Sequence, residues 1–489
     1  MTDTETMSVT RADRRTERKR KSRFAWILAA IVIVAFGVRV SYVAIAKRGP
    51  CNITVAGKVV GSYPSQCAVG DQIFYNAEAN TLAAGHGFVE PLWAVTHPGV
   101  KAPPAADHPP LTVVVLGGVN WLVEHQPLSS IAGDRFDSNV REDRYAMALF
   151  GTILVLLIGL LGRRVGRAVP RVNADAVGLV AAGIAALSPN IWVNDGLVMA
   201  ETLTALAVVG ACLLAFALWD KPNLIRAAAL GLACGLVAMG RAELVLMIPL
   251  LGVVVALTTR RSWADRAAFA FIVLVASLVV VGPWVGFNAS RFKDRTFVST
   301  NDGIALAGSY CNNVFYGSGI GLTAITGADA CIDNPPPPGD QSQVEAVYRK
   351  RALHYMRTHL RRMPAVVAAR IGRTWSVYRP LDMVAFNKGE GREGWVTRLG
   401  LVAYYPTLIA AIGGAILMWR RRARRALWVL LVPAIAVTVG VAATYGQTRF
   451  RAAAEPSLAI LAAVALIAGI AEIRSRAGTA KPRTGRSGA

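Results

Sequence analysis

The sequence predicts an all-α polytopic membrane protein, a bundle of about ten crossings with two long external loops carrying short helices. Three observations predict it. The chain of 489 residues is 54% hydrophobic, with a mean hydropathy of +0.42. Its apolar residues come in unbroken runs such as "AAIVIVAFGV" and "FIVLVASLVVVG", where an outer-membrane barrel would show short alternating segments. Its arginines cluster at the ends of those runs, as the positive-inside rule expects.

The elements follow in order. A basic tail, 1–24, contains "RADRRTERKRKSR" and precedes the first apolar run at 25–46. That run is long and ends without a small-residue cleavage signal, so it reads as a retained anchor. Further membrane-length runs lie at 145–162, 174–190, 196–218, 225–240, 242–258 and 265–285. The last three lie at 400–419, 425–443 and 453–471, before a basic tail at 472–489. The chain thus divides into an N-terminal transmembrane module (25–285), an external loop (286–399) and C-terminal transmembrane helices (400–471). With ten crossings, "GRRVGRAVPR", "TTRRSWADR", "WRRRARR" and both tails share the cytoplasmic side. If "PPLTVVVLGGVNWLV" (109–123) crossed as an eleventh segment, they would not, so it reads as re-entrant or shallow. Its two prolines suit a helix start.

Two stretches then face outward, 47–144 and 286–399. The first carries a short helical pattern at 74–82, the second basic helical segments at 341–358 and 361–377. Cysteine placement agrees. Cys51 and Cys67 fall in the first loop, Cys311 and Cys331 in the second, and Cys212 and Cys234 within helices. Pairing by loop suggests disulfides 51–67 and 311–331 on an oxidising side, four unpaired thiols being the alternative. The net charge of +23 belongs to helix ends rather than to a nucleic-acid surface.

Polar residues gather at the external helix mouths. Asp71 lies in "VGDQIFYNAEANTLAAGHGF", His108 precedes "PPL", and Arg144 opens the run at 145. Asp195 and Glu201 flank the next external turn, and Arg241 and Glu243 sit in a hairpin. "YGQTRFRAAAEP" supplies Tyr445, Arg449, Arg451 and Glu455. Each arginine alone reads equally as a snorkelling helix-end residue, and Asp71 as a helix cap. Together, ionised groups at one face of a membrane protein point to a site. Arginines suit a phosphate, which they hold through paired charge-assisted hydrogen bonds, and a carboxylate suits the proton of an attacking hydroxyl. Tyr75, Trp93 and Tyr310 are candidate platforms for a sugar or interfacial anchors.

On these residues the chain resembles the GT-C polyprenyl-phosphate-dependent glycosyltransferases, specifically the family 39-like branch of protein O-mannosyltransferases and lipid A aminoarabinose transferases. Asp71 matches the acidic residue of the first external loop. "DHPPL" is similar to a Lys-Pro-Pro-Leu element with His108 in place of lysine, "REDRYAMALFG" gives Arg144, and "VMAETLTAL" gives Glu201. "GLACGLVAMGRAELVLMIPL" gives Arg241, and the loop after "GPW" gives Thr300, Asn301 and Gly303. "YGQTRFRAAAEPSLAILAA" resembles the closing signature with Arg449, Arg451, Glu455 and Pro456.

The resemblance implies an inverting transfer of a sugar from a polyprenyl-phosphate donor to a cell-envelope glycan, lipid or protein. Asp71 would be the catalytic base; His108, Arg144, Arg241, Arg449 and Arg451 would hold the donor phosphate. Tyr75, Asp107, Glu201, Asn301 and Glu455 would bind sugar or acceptor. No metal ligand set is assigned, a divalent cation staying open as a cofactor. The expected setting is a bacterial plasma membrane with the site facing the periplasm or exterior, membrane lipids around a single catalytic chain, and no nucleic acid. Two departures stand out. Histidine is a weaker point charge than lysine, and Gln72 follows Asp71 where protein mannosyltransferases carry an Asp-Glu pair. The alternatives are an arabinofuranosyltransferase of the same superfamily, and a flippase or carrier for lipid-linked substrates.

Overall fold

The computed structural model describes residues 11–479 apart from 50, 56–57, 64–65, 92, 94–96, 98–99, 125–138, 326 and 328–329. It is a helical bundle, as the apolar runs require. The elements are α1 (Arg11–Ala46), α2 (Asp71–Ala83), α3 (Leu111–Glu124), α4 (Val140–Ala168), α5 (Ala174–Leu187), α6 (Glu201–Asp220) and α7 (Leu224–Gly240). They continue with α8 (Met247–Thr258), α9 (Trp263–Arg291), α10 (Gln341–Thr358), α11 (Met363–Thr374), α12 (Gly394–Arg420), α13 (Arg424–Ala443) and α14 (Glu455–Thr479). A two-stranded antiparallel hairpin, β1 (Cys51–Val55) and β2 (Lys58–Tyr63), is added in the first loop.

Every apolar run is helical, but not every helix is long. Seven of the described helices are long and apolar enough to cross a membrane, and an eighth span forms if α5 and the turn Pro189–Gly196, bent by 59°, count as one. The bend comes at Pro189, whose ring fits a new helix start and cannot continue an old one. Leu224–Gly240 and Ala242–Thr258 are shorter apolar helices. At 14 residues, α3 extends only about 21 Å, short of a hydrocarbon core of about 30 Å. It lies against α2 and α4, and Val113 and Leu116 share a buried cluster with Tyr75, Ala79 and Met147.

The main core runs through α4–α9 and α12–α14 and is rich in alanine, valine and leucine. Small residues let helix backbones touch, which matters where lipid tails are as apolar as leucine and give no separate driving force. Gly414 of α12 shows it: a Cβ there would stand 2.0 Å from the Leu461 carbonyl oxygen of α14. Deeper in the bundle, Arg39 of α1 donates to Asp195 at 2.7 Å, both side chains buried, and Thr202 donates to the other Asp195 oxygen at 2.7 Å. Asp195 is therefore a bundle-internal partner rather than a mouth residue, because the chain folds inward over the break after Pro189.

The loops gather at one end. Thr300 N–H donates to the Ala106 carbonyl at 2.7 Å, and Arg291 donates to the Phe88 and Ala105 carbonyls at 2.6 and 3.2 Å. Cys311 and Cys331 form a disulfide within the second loop. Cys67 is also disulfide-bonded, and the side chain of Cys51 lies outside the described residues. Replacing Gly414 with valine is expected to separate α12 from α14 and cost about 1–3 kcal/mol of stability. A melt of the detergent-solubilised variant checks it, and an unchanged midpoint would refute the close packing.

Candidate active site at the loop-bearing end of the bundle

Asp71 is the first residue of α2, after Gly70, and makes no side-chain cap. Its carboxylate instead faces the last external turn. Arg449 donates to Oδ2 at 2.6 Å and lies 3.2 Å from Glu390 Oε1. His108 Nε2 stands 3.8 Å from the same Asp71 oxygen. Burial alone would raise the Asp71 carboxyl, but Arg449 and then His108 outweigh it and hold it well below the usual carboxylate range. The side chain is still 29% exposed, so a ligand can reach it.

Around this pair opens a cavity of about 270 Å³. Helical spacing brings Tyr75 onto the Asp71 face of α2 one turn later, its ring centroid 4.5 Å from that of His108. Arg241 enters where α7 ends, as its cap residue. It donates to Glu243 at 2.6 Å and Glu201 at 3.2 Å, and its guanidinium lies 4.6 Å from the Phe450 ring centroid. Asp107, Asn301, Tyr445 and Arg449 also line the cavity. Arg449 reaches the Tyr445 hydroxyl at 3.2 Å.

The other expected residues stand elsewhere. Glu201 is buried behind Arg241, and one of its carboxylate oxygens has no partner among the described residues. Arg144 does not reach the cavity. The helix begins at Val140, so Arg144 lies one turn inside it and folds back onto the Gln66 and Cys67 carbonyls at 2.7 and 3.4 Å. Arg451, 2% exposed, donates to Glu455 at 2.5 Å, the Thr374 carbonyl at 3.1 Å and Ser376 at 2.9 Å, against the Tyr404 ring. The cause is local: residues 448–453 form a 3₁₀ turn, in which positions two apart point in different directions. Arg451 and Glu455 line a smaller, water-sized cavity of about 40 Å³, which Arg449 also borders. Tyr310 is buried, its hydroxyl donating to the Ala443 carbonyl at 2.7 Å. Trp93 lies on the loop surface, stacked on His97.

Several positioning residues were not foreseen. Glu390 and Arg392 pair at 2.6 Å in "NKGEGREGW", a polar glycine-rich segment without periodicity. Gln72 donates to the Glu390 carbonyl at 3.0 Å and accepts from Val198 N–H at 3.3 Å, tying α2 to that segment and to the entry of α6. Gly391 closes this contact with φ +82°, and a Cβ there would meet Gln72 Nε2 at 2.6 Å. Gln341, at the start of α10, donates to Glu90 and Asp107 and accepts from Ala106 N–H and Thr300. Burial, then repulsion by Asp107, raises Glu90 to about 7.

The described residues include no three His, Cys, Asp or Glu side chains that converge as metal ligands, and the Asp71 carboxylate already faces two basic groups. They do not form a divalent-metal seat, and no step is routed through one.

Neither a family model nor a curated protein matches the sequence. Solved structures do match. The chain is similar to the oligosaccharyltransferase of Archaeoglobus fulgidus in complex with zinc and sulfate, with TM-score 0.50, 13% identity, and coverage of 93% of this chain and 50% of that one. It is similar to the same organism's oligosaccharyltransferase AglB in complex with an inhibitory peptide and a dolichol-phosphate, at TM-score 0.50, 13% identity, 96% and 53%. A form tethered to an acceptor peptide containing the NVT sequon gives TM-score 0.50, 14% identity, 95% and 52%. The chain spans about half the length of these structures. At such identity the likeness concerns the fold alone: a multi-pass membrane bundle of helices like that of these structures.

Glu345 of α10 fixes the segment that carries Asn301. It accepts from Ile304 N–H at 2.8 Å, and burial, followed by the nearby Asp302 carboxylate, pushes it up from 4.5 to about 8. The folded state holds this proton longer than the unfolded one, so stability falls as pH rises from about 4.5 to about 8 and levels off above. Glu345→Gln keeps the acceptor and is expected to raise the free energy of unfolding at pH 8, by a few kcal/mol at most, given about 1.4 kcal/mol per pKa unit. At pH 4.5 it should change little; an equal shift at both pH values would contradict the buried, protonated carboxyl.

Proposed function

We propose that the protein is an inverting glycosyltransferase that moves one sugar from a polyprenyl-phosphate carrier to a hydroxyl of a cell-envelope glycan, lipid or protein. The observation that carries the proposal is the Asp71 carboxylate opposed by Arg449 and His108 in a cavity that also holds Arg241. The acceptor oxygen attacks the anomeric carbon, the bond from that carbon to the phosphate oxygen breaks, and the hydroxyl proton passes to Asp71. Polyprenyl phosphate leaves with the bonding electrons, its charge met by Arg449 and Arg241. His108 packs on Tyr75 and shapes the sugar-facing wall with Asp107 and Asn301.

Arg449 bears directly on that proton transfer. A carboxylate held by Arg449 is a poor base. A donor phosphate competes for the same guanidinium, and as it draws Arg449 away Asp71 gains proton affinity when the donor is seated. The cavity, at about 270 Å³, lies below the usual pockets of ~300–1,000 Å³ for drug-sized ligands, which favours a single sugar over a preassembled glycan. The relative whose structure holds dolichol-phosphate supports an isoprenoid phosphate as carrier chemistry. The family 39-like branch is the reading that the ordered motifs favour.

Orientation follows from charge and redox chemistry. Arginine-rich turns at 163–171, 260–266 and 420–425 occupy the bundle end opposite the loops. By the positive-inside rule that end is cytoplasmic, and the Cys311–Cys331 disulfide suits an oxidising compartment at the other. The setting is a bacterial plasma membrane with the site facing out, the chain acting as a single catalytic unit.

In proteoliposomes charged with a polyprenyl-phosphate sugar and an envelope extract as acceptor source, Asp71→Asn is expected to lower release of polyprenyl phosphate by about 10²–10⁴-fold. Donor retention should change far less. Arg449→Gln should weaken retention as well. Wild-type turnover by Asp71→Asn would defeat the assignment of the base.

A further inference from the structure

A second cavity, of about 230 Å³, lies between the C-terminal ends of α4 and α6 and the start of α13. These three helices present their opposite ends to the candidate active site, with Glu201 opening α6 and Tyr445 following α13. The 20 residues of α6 separate the two sites by about 30 Å of helix. This cavity is therefore a separate place in the fold, at the arginine-rich end.

Its lining is cationic on one side and apolar on the other. Arg164, Arg167 and Arg425 meet Phe216 and Trp219, with Asp220 as the only carboxylate of the lining. Asp220 is taken by Arg164 in a salt bridge. Neither Arg167 nor Arg425 has an acidic partner among the described residues, and Arg260 and Arg266 add positive charge beside Arg425. The Trp219 indole N–H is buried with no acceptor among the described residues. Arg164 also lies over the Phe216 ring at 5.9 Å.

Two unmatched guanidinium groups, an idle N–H donor and an aromatic wall describe a ligand that is anionic at one end and apolar at the other. The height fits as well. The cavity opens at the ends of spans of membrane length, where headgroup meets hydrocarbon, and basic pockets between such helices bind anionic headgroups. We propose that this cavity binds the phosphate headgroup of an anionic phospholipid from the leaflet at the arginine-rich end. The guanidinium groups of Arg167 and Arg425 hold the phosphate oxygens, the Trp219 N–H supplies a third donor, and Phe216 with the Trp219 ring receives the first atoms of the acyl chain.

The test uses the full chain in nanodiscs of phosphatidylcholine with or without phosphatidylglycerol, and counts lipids retained by native mass spectrometry. Wild type is expected to keep phosphatidylglycerol in preference to phosphatidylcholine. The Arg167→Gln/Arg425→Gln variant should lose roughly tenfold of that preference, while Arg295→Gln/Arg357→Gln, altered at the opposite end, should keep it. If the double variant does not fold, Trp219→Phe decides, since it keeps the ring and removes only the donor; a several-fold loss is expected. No preference in wild type, or a preference untouched by these substitutions, overturns the proposal. So does an arm in which inorganic phosphate binds with the same arginine dependence while phosphatidylglycerol shows none, for the ligand would then be a soluble anion.

Discussion

The contact between Asp71 and Arg449 joins residues 378 positions apart and sets the geometry of the loop-bearing end. Neither group is placed by its own helix. Asp71 begins α2 without capping it, and Arg449 sits on a 3₁₀ turn between α13 and α14. An ion pair between such groups is weak when solvated and strong only where its surroundings are fixed. Here they are fixed. Glu390 approaches the same Arg449 nitrogen that donates to Asp71, Tyr445 accepts from the other, and Gln72 locks the start of α2 onto the Glu390 backbone. The first loop, the second loop and the last turn thus converge on two side chains.

That convergence explains why so many arginines lie near the site without entering it. Arg144 holds the Gln66 and Cys67 carbonyls, Arg451 the Thr374 carbonyl together with Glu455 and Ser376, and Arg370 the Ser309 and Ala442 carbonyls. A guanidinium with five donors in a fixed fork is suited to this work, because it can satisfy several buried acceptors at once. The irregular backbone at a helix end leaves such acceptors open, and burying them unpaired would cost more than the arginine does. Loop arginines in this protein are therefore of two kinds. Those whose donors end mainly on backbone carbonyls hold the loops together, and those whose donors end on carboxylates, Arg241 and Arg449, line the open cavity.

The same division shows what the sequence could convey. Apolar runs read directly as helices, because twenty lipid-facing or core positions in a row permit little else. Cysteine spacing gave the 311–331 pair for the same reason: few partners lie on that side of the membrane. Asp71, His108, Arg241 and Arg449 were legible as polar residues at helix mouths, Tyr75 as an aromatic platform and Asn301 through the family resemblance, and all six line one cavity. Glu390, Gln341 and Gly391 were not, since a clasp made of a backbone carbonyl, an amide and a positive-φ glycine has no periodic signature. Arg451 misled because its spacing from Arg449 invites one role, whereas only Arg449 reaches the larger cavity and Arg451 turns to Glu455 and the Thr374 carbonyl. Arg144 misled because the helix starts a turn earlier than its apolar face.

The asymmetry between the two ends of the bundle has a further physical meaning. At the loop-bearing end, cations are matched by carboxylates, Arg241 with Glu201 and Glu243, Arg449 with Asp71 and Glu390. At the other end, the described salt bridges are few, Arg163 with Asp175 and Arg164 with Asp220, against a larger set of arginines in the turns at 163–171, 260–266 and 420–425. A neutralised cleft admits an anion only by exchange, so binding there is coupled to freeing a carboxylate. An uncompensated rim attracts anions without exchange.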